Sequence, residues 1–85
     1  MRREVVLRFA RPVASRVAET SWHPTQAQET HPDGSLTWSA RVSGTLEILP
    51  WILGWGADVE VLAPESLRDE VAGILRRAAA RYPCG

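Results

Sequence analysis

The sequence predicts an α+β domain of ferredoxin-like build. The expected form is a βαββαβ sandwich with a four-stranded antiparallel sheet and one more helix at the C-terminal end. Three observations predict it. Strand-period and helix-period segments follow one another as β-α-β-β-α-β-α, and the first six match the split βαβ pattern. The stretch 44–64 joins an apolar helix, a glycine stop and a β-branched strand, and Trp51 and Trp55 flank its corner. A length of 85 residues with 45% hydrophobic content suits one folded domain, 1–85, with its core over 4–82.

Each element has its own warrant. Residues 4–10 read as a strand, with Val5, Leu7 and Phe9 on the core side and Val6 and Arg8 on the other. Arg11-Pro12 opens a helix, because a proline's missing N–H is harmless in the first turn. Val13, Ala14, Val17 and Ala18 give that helix a narrow apolar stripe, while Arg16 and Glu19 face water. Pro24 disfavours helical geometry at His23, so the helix ends near 20–22. Residues 26–30 are polar on both sides, which suits an edge strand. His31-Pro32-Asp33-Gly34 is a turn signal. Residues 36–42 form the strand that pairs with it, with Leu36, Trp38, Ala40 and Val42 inward and Thr37, Ser39 and Arg41 outward.

Leu46, Leu49, Ile52 and Leu53 then stand at helical spacing, widened by Ile48 and Trp51. Pro50 removes a backbone bond within this helix; we place the start at Thr45, with a distorted first turn. Gly54 and Gly56 stop it. Val59, Val61 and Leu62 make the last strand, which Pro64 ends. Ser66 caps the final helix, with Asp69 three residues on as a capping-box variant. Leu67, Val71, Ile74, Leu75, Ala78 and Tyr82 follow its period. Asp69 and Glu70 near its start and Arg76, Arg77 and Arg81 near its end suit the helix dipole. Pro83 terminates it.

Net charge is zero, from 10 basic and 10 acidic residues. A neutral domain has no general pull on DNA or acidic membranes, so any nucleic-acid contact needs a local patch. The basic residues are all arginine, a bias that a GC-rich genome explains without anion binding. Cys84 is the single cysteine. It forms no internal disulfide, which together with the lack of a signal-like start points to a reducing cytoplasm. No apolar run reaches membrane-spanning length.

The side of the sheet away from the helices collects Val6, Arg8, Thr37, Ser39, Arg41, Glu60 and Leu62. In a ferredoxin-like order the first and third strands are central neighbours, which brings Arg8 and Arg41 to one area. Two arginines among hydroxyls suit a phosphate or carboxylate. The plainer alternative is a cross-strand ion pair of Arg8 with Glu60 beside a solvated Arg41. A third is pairing of two such faces in a dimer.

Other patterns carry less. Trp22 and His23 at a helix end suit either a ligand contact or a capped surface position. His23, His31 and Cys84 lack metal-ligand spacing, and no cofactor is expected. No serine sits in a nucleophile elbow. Gly54-Trp55-Gly56 follows a helix, whereas dinucleotide loops follow a strand. Trp38 and Trp51 are in phase with apolar neighbours and read as core. Acylphosphatases share a similar fold, but their pattern pairs an arginine with an asparagine, and this chain has no asparagine. The residues thus point away from an enzyme.

Three segments together resemble a known family. They are Val6-Leu7-Arg8-Phe9; Trp22-His23-Pro24-Thr25-Gln26 with Asp33-Gly34-Ser35 behind it; and 51–68, Trp-Ile-Leu-Gly-Trp-Gly-Ala-Asp-Val-Glu-Val-Leu-Ala-Pro-Glu-Ser-Leu-Arg. The chain is similar to the C-terminal extension domain, WCX, of bacterial WYL-family transcriptional regulators. The resemblance implies a ferredoxin-like fold that helps a regulator dimerise and flanks its effector surface. It implies partners outside this chain: an N-terminal winged helix-turn-helix, which alone contacts DNA, and a WYL domain. Neither is in this sequence. It also implies a nucleic-acid fragment or nucleotide as effector.

The expected function is therefore a regulatory and oligomerisation domain, pairing as a homodimer through the open sheet face. The effector or partner surface would be Arg8, Arg41, Ser39, Trp22, His23 and Glu60. A module that binds anions or single-stranded nucleic acid directly, through Arg8 and Arg41, is the alternative. An acylphosphatase-like hydrolase is a remote one.

Overall fold

The computed structural model describes residues 3–82. The expectations for Pro83 and Cys84 lie outside that range. The elements are β1 (Arg3–Phe9), α1 (Arg11–Ala18), β2 (Ala27–Thr30), β3 (Leu36–Val42), α2 (Ile48–Gly54), β4 (Val59–Ala63) and α3 (Glu65–Ala80). The four strands form one antiparallel sheet in the order β2-β3-β1-β4, with β1 and β3 at the centre. This is the ferredoxin-like arrangement that the element order predicts.

Alternation builds the core. Val5, Leu7 and Phe9 of β1 face Ala40, Trp38 and Leu36 of β3 across the ladder, and all six are buried. Val13, Ala14 and Val17 of α1 and Ile48 and Ile52 of α2 cover them. Each large aliphatic or aromatic side chain so buried contributes roughly 1.5–3 kcal/mol before ordering costs. α1 ends at Ala18, short of the expected 20–22, with Glu19 as its C-cap, so Ala18, expected in the stripe, is exposed.

Three further local expectations change. First, α2 starts at Ile48 and not at Thr45. Pro50 then falls in the first turn, where its missing N–H has no intrahelical partner to lose. The backbone already turns helically before it, since the Leu49 N–H donates to the Thr45 carbonyl at 3.0 Å. Secondly, Ser66 does not cap α3. Extended Pro64 takes that position, and the Ser66 hydroxyl accepts a 2.9 Å bond from Arg3. Thirdly, only the first half of the α3 stripe is buried. Leu67 and Val71 join the core beside β4, whereas Leu75 and Tyr82 stay exposed.

Between α2 and β4 lies a 3-10 turn, Gly56–Asp58. Gly56 has φ +60°, a conformation that glycine adopts without steric cost. Its backbone also ties to the sheet, because the Ala10 N–H donates to the Asp58 carbonyl at 2.8 Å.

Candidate functional site

Among the described residues, no helix covers the side of the sheet opposite α1 and α2. There Arg8, Arg41, Glu60 and Leu62 are exposed and Val6, Thr37 and Ser39 half-buried. Register sets its geometry. Arg8 stands opposite Thr37 and Val6 opposite Ser39, while Arg41 stands opposite Glu4. Arg8 and Arg41 therefore share the face but lie four residues apart along it, roughly 14 Å at Cα. The Arg8 guanidinium is held toward Asp33 and Ser35, away from Arg41, so the two do not converge on a single phosphate. The face offers two separate cationic points with Ser39 and Thr37 between them.

Each point has its own surroundings. Arg8 lines a depression of about 190 Å³ with Ala10, Asp58 and Glu60. Its guanidinium donates to Asp33 at 3.2 Å and to the Ser35 hydroxyl at 3.3 Å. The expected ion pair with Glu60 does not form, although β1–β4 register does set the two opposite each other. Glu60 accepts instead from Arg68 at 3.2 Å, and the same guanidinium nitrogen donates to the Val61 carbonyl at 3.0 Å. Arg41 lines a cleft of about 310 Å³ with Glu4, Thr25, Ala27 and Ser39. It makes no ion pair with another described residue.

Asp33 belongs to the turn between β2 and β3. Its carboxylate accepts from the Ser35 hydroxyl at 2.6 Å and the Ser35 N–H at 2.9 Å. These bonds, with smaller help from Arg8 and His31, hold the carboxyl below its ordinary value. Gly34 has φ +89°, and a Cβ there would meet Arg11 Cγ at 2.8 Å, so the turn needs a glycine. The Asp-Gly-Ser tripeptide thus positions Arg8, a role that strand alternation alone does not reveal.

Trp22 and His23 do not join the arginines on the open face. Trp22 stacks on Trp51 at 5.1 Å between centroids and meets Trp38 edge-on at 6.1 Å, on the helix side. The backbone of this loop is held by Gln26. Its Oε1 accepts from the Trp22 and His23 N–H groups at 2.7 and 3.0 Å, and its Nε2 donates to the Thr20 carbonyl at 2.9 Å. The Thr25 N–H also donates to His23 Nδ1 at 3.2 Å. The Thr25 hydroxyl accepts from the Arg41 N–H at 2.9 Å. The Trp-His-Pro-Thr-Gln run is therefore a clamp that ends at the Arg41 backbone. Sequence reasoning quotes Thr25 and Gln26 within the family-like segment but assigns neither a role, because side-chain-to-backbone bonds leave no periodic signal.

Among the described residues no group of three or more histidine, cysteine or acidic side chains is placed to hold a metal ion. No described helix is long and apolar enough to cross a membrane.

The family model named WCX domain matches residues 1–79. No curated protein matches the chain.

Proposed function

The chain belongs to the WCX domain family, and from that membership we propose that it is a regulatory and pairing domain of a WYL-type transcriptional regulator. It works in the cytoplasm without catalysing a reaction. It meets a second copy through the open sheet face and adjoins a WYL domain. A helix-turn-helix domain outside this chain contacts DNA. The carrying observation is the uncovered β1–β3 surface, where Val6, Ser39 and Thr37 lie half-buried between charged margins. Light scattering of the chain, alone and joined to its WYL domain, tests the pairing. Dimers that Val6→Glu dissociates support it; a monomer in both settings refutes it.

One observation favours a second role for the same face, direct recognition of an anionic effector. Arg8 and Arg41 stand at opposite ends of a hydroxyl-lined strip, each beside a depression. That spacing suits a ligand with several phosphates, an oligonucleotide or a nucleotide, better than a single anion. Titrating a short single-stranded oligonucleotide and ATP at low salt should show binding that Arg8→Ala and Arg41→Ala each weaken about tenfold, a loss in the range of one charge-assisted bond. Equal binding by all three proteins, or none by any, rejects this role.

A further inference from the structure

The stretch 42–67 holds Glu47, Asp58, Glu60 and Glu65 but no arginine or lysine. Within it Pro50, Trp51, Gly54 and Trp55 line an open notch of about 290 Å³. The two indoles stand at 89° to each other, with centroids 6.1 Å apart. Phe9 meets them edge-on at 5.7 and 5.5 Å, and Trp22 stacks on Trp51 at 5.1 Å, so neighbouring rings fix this corner. Gly54 leaves it open, because an added Cβ there would meet no atom within 4 Å. Glu47 is exposed and takes no part in the described ion pairs. The backbone is already helical at Glu47. Pro50 and Trp51 follow it by three and four residues and Gly54 by seven, so all share one side of the helix. Cα–Cβ bonds tilt toward a helix N-terminus, which leans Trp51 toward Glu47.

We propose that this notch binds the quaternary ammonium head group of a small soluble compound of the choline type. Charge and chemistry select that guest. Indole faces attract cations, and steeply angled aromatic rings are the walls of a quaternary-ammonium cage. The carboxylate of Glu47, one helical turn away, adds attraction of the same sign. A lysine ammonium or an arginine guanidinium fits less well. Each brings several N–H donors, and the side chains of Pro50, Trp51, Gly54 and Trp55 offer them no acceptor. A trimethylammonium group brings no donor to satisfy. A nucleotide base is disfavoured for another reason. Its phosphates would meet Glu47, with no arginine or lysine of 42–67 to offset the repulsion.

The volume of about 290 Å³ falls at the lower limit of the roughly 300–1,000 Å³ of drug-sized sites. It holds a head group and leaves the rest of the ligand in water. Two rings and one exposed carboxylate give weak binding, with a Kd on the order of millimolar. The notch belongs to α2 on the helix side of the sheet, so it does not depend on what the open sheet face binds.

Titrating choline chloride into the isotope-labelled 85-residue chain, with the indole N–H signals followed by NMR, tests this. The Trp51 and Trp55 signals of the wild type shift saturably. Sodium chloride and neohexanol, the neutral carbon isostere of choline, leave them in place at the same concentrations. Gly54→Leu fills the notch and abolishes the response, and it melts no lower than the wild type because its side chain enters empty space. Trp55→Leu, verified as folded by circular dichroism, weakens binding at least about tenfold. Glu47→Gln weakens it about threefold, in the range of one exposed charge contact. A wild type with no saturable shift at choline concentrations on the order of tens of millimolar overturns the proposal. So does an equal response to neohexanol, or a Gly54→Leu protein that responds like the wild type. Cosedimentation with phosphatidylcholine vesicles, without any response to free choline, overturns it as well by assigning the head group to a lipid.

Discussion

Replacing Gln26 by alanine should be among the most damaging changes available at a polar side chain in this domain. One amide satisfies two backbone N–H groups and one carbonyl of the loop that carries Trp22. At about 1 kcal/mol net per bond, the three sum to about 3 kcal/mol. The loop is only half-buried, so water recovers part of this and about 2 kcal/mol remains lost. For a domain of this size, 1 kcal/mol moves the melting temperature by roughly 4–8 °C. The expected fall is therefore about 8–16 °C. Thermal unfolding followed by tryptophan fluorescence reads it directly, because Trp22 stacks on Trp51. Gln28→Ala is the matched control. It removes a single 3.3 Å bond to the Val17 carbonyl and should cost well under half as much. If Gln26→Ala melts within two or three degrees of the wild type, by the same scale, the clamp does not hold this loop and the account of the Trp-His-Pro-Thr-Gln run is wrong.

Two further predictions concern the turn and the core. The Asp33 carboxyl is held below its ordinary value of 3.8, chiefly by the Ser35 hydroxyl. A depressed folded-state value contributes stability that is present above the unfolded value and disappears as pH falls through the folded one. Stability should therefore decline as pH drops below the ordinary carboxylate value, and urea melts across that window should show a shallower decline for Asp33→Asn. An identical slope in both proteins would contradict the assigned bonds. Trp38 is fully buried, and its indole N–H finds no hydrogen-bond partner among the described residues. Trp38→Ala should cost about 3–5 kcal/mol in urea unfolding. Trp38→Phe keeps a ring and removes the unpaired donor, so it should cost less than half as much; equal losses would refute that reading.

Much of the layer structure was legible because strand alternation is a strong pattern. In β3, Leu36, Trp38, Ala40 and Val42 alternate with Thr37, Ser39 and Arg41, and the strand bounds follow directly. The edge strand was readable from its polarity on both sides, and the Asp33-Gly34 turn from its turn-forming residues. The α2 start was misplaced because a proline's cost depends on which turn it occupies, and that turn is set by how the chain leaves β3. Ion-pair partners were misread for a different reason. Alternation and register do set Arg8 across from Glu60, but the partners arrive from outside the sheet, Asp33 from a turn and Arg68 from α3. The α3 stripe looked like core along its whole length because period reports which face is apolar and not whether anything lies against it. The spread of the candidate site had the same origin. Arg8, Ser39, Arg41 and Glu60 follow from strand phase and do share one face. Trp22 and His23 sit in a loop, where side-chain-to-backbone bonds decide the geometry.

Amide chemical-shift mapping by NMR would ask the molecule directly which surface it works with. Short single-stranded DNA is added to the labelled domain at low salt, and the shifts are placed on the fold. Changes centred on Val6, Arg8, Thr37, Ser39 and Arg41 are the result expected of a working sheet face. Changes confined to α1 and the Trp22 loop, with those five positions unmoved, would contradict it.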